Sequence, residues 1–420
     1  MTCTYIPSTR TIAKCGVTLI HQPIFTTAVV AVDVWVSAGA ACEPAERAGV
    51  AHFLEHMIFK GTDQILPGEF DALIEDFGGS SNAATSHDYA HFGFTTASDQ
   101  FALPLKCLAE LLLAANIPDQ EFERERGVVI EEMFQALDDP DWIAYHNLMA
   151  TAYGDHPYGR PVLGYESSLR NLTAADLRQY HQGFYRPELM TVVVVGNVEL
   201  EEAITRVEEA FSGKYRSNQA AACEFTPVPL SQIPAVQVRQ LYGVEQARLT
   251  MAWLGCNISE LAEVVELEML AMILAGGRCS RLVRSLREQK GWVLDIGSDF
   301  TAQRSPGLFT VSALLDAHFL EPVEHQIQQE IELLNQTLIS CQEIAHARKA
   351  MTNQFAFMTE SPQALASVLG YYAALGCDLA ENWFEHYCDL LAGATPQRLQ
   401  ALTQKYLPSD RYTITCLLPI

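Results

Sequence analysis

The sequence predicts an α+β protein of two similar halves, each a mostly antiparallel sheet packed with helices. Strand-like segments rich in β-branched residues alternate with segments of helical periodicity along the 420 residues. A stretch rich in Ala, Pro and Ser, residues 217–234, divides the chain near its middle. The order of predicted elements before this stretch recurs after it. The length also suffices for two or more domains.

The first half is predicted to begin with two apolar strands and to end with a strand and a helix. Gly78 and Gly79 give the stop signal for a helix over 67–77. Thr173 and Asp176 fit the start of a later helix. The predicted strands lie at 17–21, 27–36, 80–95 and 190–196, and the further helices at 103–115, 119–136, 177–185 and 199–211.

The second half repeats this order in weaker form. Segments 247–255, 307–315 and 412–418 correspond to strands of the first half, and 264–274 corresponds to a helix. We therefore expect residues 1–220 and residues 235–420 to form two homologous domains. Residues 217–234 would then be the linker between them.

Composition narrows the class of protein. The hydrophobic content of 49% and charged content of 19% are typical of a globular chain. A formal net charge of −24 argues against nucleic acid and an anionic membrane as partners. No apolar run is long enough to span a membrane, and no signal peptide is visible. Eleven unpaired-looking cysteines favour free, mostly buried thiols and a cytoplasmic location.

A helix near residue 52 carries candidate metal ligands. His52 and His56 are four residues apart, which places both imidazoles on one face of a helix. Glu55 lies beside the second histidine, and the surrounding residues are apolar. Burying these polar groups is costly unless they are paired or bind a metal. The alternative is a core helix whose two histidines are satisfied by hydrogen bonds alone.

The stretch H-F-L-E-H-M-I-F-K-G-T, followed by E-R-x-V-V-I-E-E-M, resembles the pitrilysin (M16) family of zinc metallopeptidases. The similarity is to its small-subunit branch, which includes the mitochondrial processing peptidase β subunit and bacterial processing-protease homologues. It implies a duplicated metallopeptidase fold. It further implies that His52, His56 and Glu132 bind Zn²⁺, that Glu55 is the general base, and that Glu125 supports the site without touching the metal.

The resemblance also implies where a substrate binds. In the family, the segment matching Asn82, Ala83 and Thr85 is an edge strand beside the zinc. An extended peptide there adds itself to the sheet. The alternative for Asn82 is a turn residue that leads into a strand.

The second half is expected to lack the metal site. Aligning the glycines that follow each helix places other residues opposite His52, Glu55 and His56, namely Glu268, Ala271 and Met272. The family also carries an arginine and a tyrosine, seven positions apart, that bind substrate and stabilise the oxyanion. Arg287 matches the arginine, although it could be a surface residue of a basic helix.

Leu294 stands at the tyrosine position and cannot donate a hydrogen bond. We therefore expect a heterodimer with an M16-like partner that carries the arginine–tyrosine pair. A homodimer is the alternative.

The sequence thus predicts a zinc-dependent endopeptidase that cleaves extended peptides or unfolded segments, as the zinc-bearing subunit of a dimer. Glu55 would take a proton from water that zinc has acidified. One alternative is a non-catalytic peptide-binding or scaffold subunit of a processing-peptidase-like complex. Another is a metal-dependent hydrolase of non-peptide substrates, against which the predicted peptide-binding strand argues.

Overall fold

The first sheet positions the candidate site. The computed structural model describes residues 8–213, 235–241, 244–377 and 383–420. Within these ranges the first sheet has six strands in the order β1-β2-β6-β3-β5-β4. Neighbouring strands are antiparallel except β2 and β6, which are parallel. The strands are β1 Thr9–Ile12, β2 Thr18–Pro23, β3 Val29–Val36, β4 Ser80–Thr85, β5 Ala90–Ala97 and β6 Met190–Gly196.

The second sheet has the same topology. Its five described strands run in the order β7-β11-β8-β10-β9, which matches β2-β6-β3-β5-β4 strand for strand. The parallel pair, β7 with β11, stands where β2 pairs with β6. The strands are β7 Ala235–Leu241, β8 Ala247–Leu254, β9 Val293–Thr301, β10 Leu308–Leu315 and β11 Thr413–Pro419. The predicted α+β class with two duplicated halves is confirmed.

Helices pack on both sheets. Residues 80–95, predicted as one strand-like stretch, form the β4–β5 hairpin. Arg287 lies in a π-helical segment, Val283–Gln289. The described α-helices are α1 Val50–Ile58, α2 Glu69–Asp76, α3 Ala102–Ala114, α4 Asp119–Asp138, α5 Pro140–Tyr153, α6 Glu166–Asn171, α7 Ala174–Phe184, α8 Leu200–Phe211, α9 Leu261–Ala275, α10 Leu320–Gln336, α11 Cys341–Met358, α12 Pro362–Ala374, α13 Trp383–Gly393 and α14 Pro396–Tyr406.

The described chain packs into two units, and each unit includes a helix from the other half of the sequence. The first unit takes in the described parts of residues 1–135, 160–225 and 356–384, so α12 packs on β3 and β6. The second takes in those of 136–159, 226–355 and 385–420, so α5 packs on β8 and β11. The predicted linker 217–234 lies outside the described residues. The domain bounds 1–220 and 235–420 stay a prediction.

Alternation along β3 decides what each face of the first sheet contacts. Val30, Val32 and Val34 are fully buried in the core that also contains much of α1. Asp33 and Trp35 point to the opposite face.

That opposite face is covered by α12. Ser367 donates a hydrogen bond to the Asp33 carboxylate at 3.3 Å, and His91 Nε2 lies 3.2 Å from the same carboxylate. The buried aspartate is thus tied to a neighbouring strand and to the covering helix.

The structure bears on two expectations drawn from composition, one about membrane-spanning segments and one about the cysteines. No helix within the described ranges is long and apolar enough to cross a membrane. Cys42 is disulfide-bonded, so the expectation of free thiols is wrong there. Of the eight free described thiols only Cys256 is buried, which corrects the expectation that most are buried.

We predict that Gly370→Ala destabilises the first unit. A Cβ at Gly370 would stand 1.9 Å from Trp35 Nε1, so α12 or the indole must move. Overpacking of this kind costs about 1–3 kcal/mol, which a lower urea midpoint would show. Gly127→Ala is the control, because a Cβ there meets nothing within 4 Å. Equal stability of wild type and Gly370→Ala would contradict this packing.

Candidate metal centre

Helix α1 presents the two histidines from a buried position. Seven of its nine residues are buried, including His52, which is 7% exposed. The apolar side chains, such as Phe53 and Leu54, anchor the helix in the core of the first unit. The polar residues therefore have fixed directions, because the buried helix has little freedom to rotate.

The structure brings His52, His56 and Glu132 together. One donor atom from each lies within 4.8 Å of the others. His52 Nε2 is 3.7 Å from Glu132 Oε1, and His56 Nε2 is 3.3 Å from Glu132 Oε2. Glu132 comes from α4, so the group joins two helices. No other group of three candidate ligands occurs in the part of the chain that the structure describes.

Glu125 holds His56 from the side away from Glu132. His56 Nδ1 is 3.0 Å from Glu125 Oε1 and donates to that carboxylate, which leaves Nε2 directed at Glu132. Glu125 Oε2 is in turn 2.7 Å from Lys60 Nζ. Glu125 and Glu132 lie two helical turns apart on one face of α4. This contact of Lys60 is not predicted from the sequence, where the residue appears only as the lysine of F-K-G-T.

His52 and Glu132 are shifted toward the protonation state that binds a metal, and His56 is shifted away from it. Burial lowers the pKa of His52 to about 4, although the Glu132 carboxylate opposes this. The hydrogen bond from His56 lowers the pKa of Glu132. Burial lowers the pKa of His56, but hydrogen bonds to Glu132 and Glu125 outweigh it, so that pKa is raised. Neutral imidazoles and an ionised carboxylate are the forms that bind a metal.

The donor set fits Zn²⁺. Two imidazole nitrogens and one carboxylate oxygen are the protein ligands of one class of catalytic zinc site, which keeps a position open for water. The support of His56 by Glu125 is the arrangement usual behind metal-bound histidines. His52 Nδ1 is buried and has no hydrogen-bond partner among the described residues. The residues present therefore fit the metal that the sequence predicts.

Glu55 lies on the same helix and is oriented by β4. Thr85 Oγ1 donates to Glu55 Oε2 at 2.5 Å. Burial raises the pKa of Glu55, while the Thr85 hydrogen bond lowers it. Thr85, predicted to bind substrate, thus contacts the predicted base through its side chain.

Strand β4 forms one edge of the first sheet. It pairs with β5 on one side, and no described strand pairs with its other side. The Asn82 side chain is exposed, and Ala83 is half-buried against the core. The backbone of β4 therefore offers unpaired N–H and C=O groups to an extended chain.

Arg287 belongs to the second unit, whereas the three candidate ligands belong to the first. Its guanidinium donates to Glu288 at 3.1 and 3.2 Å and to Asp295 at 3.3 Å. Leu294 is 61% exposed. On α9, burial raises the pKa of Glu268, the residue aligned with His52, to about 8. This carboxyl is hydrogen-bonded to Tyr387 rather than grouped with candidate ligands.

Two family models match this chain. One, described as insulinase (peptidase family M16), matches residues 17–166, and one, described as the peptidase M16 inactive domain, matches 171–351. An uncharacterized zinc protease of Mycobacterium leprae is 30% identical over 319 residues, covering 75% of this chain and 71% of that protein. A probable mitochondrial-processing peptidase subunit beta of Arabidopsis thaliana is 27% identical over 376 residues, covering 87% of this chain and 70% of that protein.

A solved structure supports the same fold. The crystal structure of a protease from Helicobacter pylori matches with a TM-score of 0.91 at 24% identity, covering 99% of this chain and all of that chain. The family resemblance drawn from the residues around His52 and Glu132 is confirmed by the two family models. The chain belongs to peptidase family M16.

Proposed function

We propose that this protein is a zinc-dependent endopeptidase that cleaves extended peptides or unfolded segments. The observation that carries the proposal is the convergence of His52, His56 and Glu132 beside Glu55. Through Thr85, Glu55 also joins this group to an unpaired edge strand. The group suits a metal that activates water, and the strand suits a peptide backbone.

Each residue has a defined task in this proposal. His52, His56 and Glu132 would hold Zn²⁺, which when bound acidifies water and polarises a peptide carbonyl. Glu55, steered by Thr85, accepts the proton of the attacking water and returns it to the leaving amine. Asn82, Ala83 and the rest of β4 align the substrate backbone. Glu125, held by Lys60, keeps His56 in the tautomer that faces Glu132.

The substrate site is proposed to be completed by a second chain. Leu294 has an apolar, exposed side chain where the family carries a tyrosine, so this chain has no hydroxyl at that position. Arg287, which matches the arginine of the family, is proposed to bind the substrate. A heterodimer with an M16-like partner bearing the arginine–tyrosine pair supplies the missing donor, with a homodimer as the alternative.

The dimer proposal predicts that the purified chain alone cleaves a quenched fluorescent peptide library poorly. Addition of a co-purifying M16-like homologue should raise the rate, because the partner stabilises the oxyanion. Sedimentation of the mixture should show a 1:1 complex. Full activity of the chain on its own, unchanged by the homologue, would contradict a divided site.

We also propose a cytoplasmic location, because eight described cysteines are free thiols, with Cys42 as the exception. Cell fractionation checks this directly, and recovery of the protein outside the cytoplasm would refute it.

A second candidate function is a non-catalytic peptide-binding or scaffold subunit. Leu294 favours it, because loss of an oxyanion donor is one way in which activity disappears. The two proposals differ in one measurable respect: peptide cleavage by this chain requires Glu55, whereas peptide binding by a scaffold subunit does not.

Glu55→Gln separates the two functions. The amide cannot take up a proton, so turnover should fall by about 10²–10⁴-fold while zinc content stays at the wild-type level. Peptide cleavage, with the partner present, and atomic absorption give the two readouts. Glu75→Gln, which removes an exposed carboxylate of α2, is the control and should behave as wild type. Turnover that survives in Glu55→Gln would remove Glu55 from the mechanism.

Zinc affinity should depend on pH through His56. Its pKa is raised, whereas that of His52 is lowered, so His56 takes up a proton before His52 as the pH falls, and a protonated imidazole cannot bind a metal. The affinity should then fall about tenfold per pH unit below that pKa. His52, with its pKa near 4, adds to the loss only at lower pH. Competition with a chelator between pH 8 and 5 measures this, and a flat profile would contradict it.

A further inference from the structure

The first turn of helix α1 has no capping side chain at the residue directly before it. The first N–H groups of a helix have no partner within the helix and are normally capped by the side chain that precedes it. Here the preceding residue is Gly49, with a φ of +94° and no side chain. The helix begins at Val50, only two residues before His52, so its first turn determines where that imidazole points.

Close packing explains why Gly49 cannot carry a cap of its own. A Cβ at Gly49 would lie 2.9 Å from the carbonyl oxygen of Leu163. A Cβ at Gly164 would lie 2.4 Å from the carbonyl oxygen of Ala48. The backbone around residue 49 is therefore pressed against the 163–164 turn. A capping group has to come from elsewhere in the chain.

Glu43 supplies that group. Its Oε2 accepts from the Gly49 N–H at 2.9 Å, and its Oε1 accepts from the Ala51 N–H at 2.7 Å. The residue is only 5% exposed, and Arg160 donates to its backbone carbonyl at 2.9 Å. A carboxylate at this end of a helix also faces the positive end of the helix dipole.

We propose that Glu43 is a positioning residue for the zinc centre: it fixes the first turn of α1 and thereby the direction of His52. The inference rests on the proposed zinc function. Glu43 does not touch the three ligands, and it acts through the backbone of Gly49 and Ala51. Removing it leaves two buried N–H groups without acceptors next to a ligand, so the helix start and His52 move together.

Zinc affinity of Glu43→Ala tests the proposal, with chelator competition as the readout. Loss of the residues that support metal ligands typically weakens binding about 10–100-fold, and we expect a loss in this range. Glu43→Gln keeps the shape but offers one oxygen acceptor for two N–H groups, so its loss should be smaller. This second variant also keeps the test open if Glu43→Ala folds poorly. Burial raises the pKa of Glu43 to about 8, so binding is measured above pH 8, where the carboxylate form predominates.

Two controls separate positioning from general loosening. Ser168→Ala removes a buried hydrogen bond to the Ala48 carbonyl, 2.7 Å long, in the same neighbourhood but not to α1. Glu46→Gln removes an exposed charge of the same loop. Both controls should bind zinc as wild type does. The absorption bands of the Co²⁺-substituted protein should shift in the Glu43 variants alone, because they report the arrangement of the ligands.

Three outcomes would overturn the inference. One is an unchanged zinc affinity and Co²⁺ spectrum in the folded Glu43 variants. Another is an equal loss of affinity in Ser168→Ala at equal thermal stability. A wild-type protein that binds no zinc would refute the zinc centre itself, and it is recognised before any variant is compared.

Discussion

The candidate site depends on the pairing of two imidazoles with two carboxylates between α1 and α4, of which His52 and Glu125 are buried. Such groups are expensive to remove from water unless each finds a partner. Each ring nitrogen of His56 lies beside a carboxylate, Nδ1 beside Glu125 and Nε2 beside Glu132. The Lys60 ammonium forms an ion pair with Glu125. His52 keeps one buried nitrogen without a hydrogen bond. Apolar packing therefore fixes the helix, and His52 Nε2, His56 Nε2 and the Glu132 carboxylate lie close enough together to hold a metal.

The two sheets share one architecture, whereas the group of three candidate metal ligands found among the described residues lies in the first unit. Both have the same strand order and the same parallel pair, and both have a helix across the core face. In the second unit that helix, α9, carries Glu268 where α1 carries His52. Burial keeps this carboxyl's pKa high, and its side chain is hydrogen-bonded to Tyr387. The fold constrains the backbone strongly and the ligand positions weakly.

Much of the fold, and the grouping of His52, His56 and Glu132, could be predicted because the signals were local. The four-residue spacing of His52 and His56, and the two-turn spacing of Glu125 and Glu132, follow from helix geometry. The second half was predictable from the order of its strands. Family likeness then selected Glu132 among the several acidic residues of α4, a choice that periodicity alone could not make.

The remaining features depend on contacts between residues far apart in sequence. Nothing local indicates that Lys60 binds Glu125, or that Thr85 turns its hydroxyl to Glu55. Glu43 was missed because a cap normally stands directly before its helix, whereas this one lies six residues upstream of Gly49. The packing of α5 in the second unit and of α12 in the first likewise depends on contacts that no local pattern in the sequence indicates.

Zinc content per chain is the most direct test of the central claim that α1 and α4 together form a metal centre. After dialysis against metal-free buffer, atomic absorption should find about one zinc ion per chain in the wild type. Glu131→Gln should match it, because that neighbouring carboxylate is exposed. Glu132→Gln should lose the metal. A wild type without zinc, or a Glu132→Gln protein that retains it fully, would contradict the account.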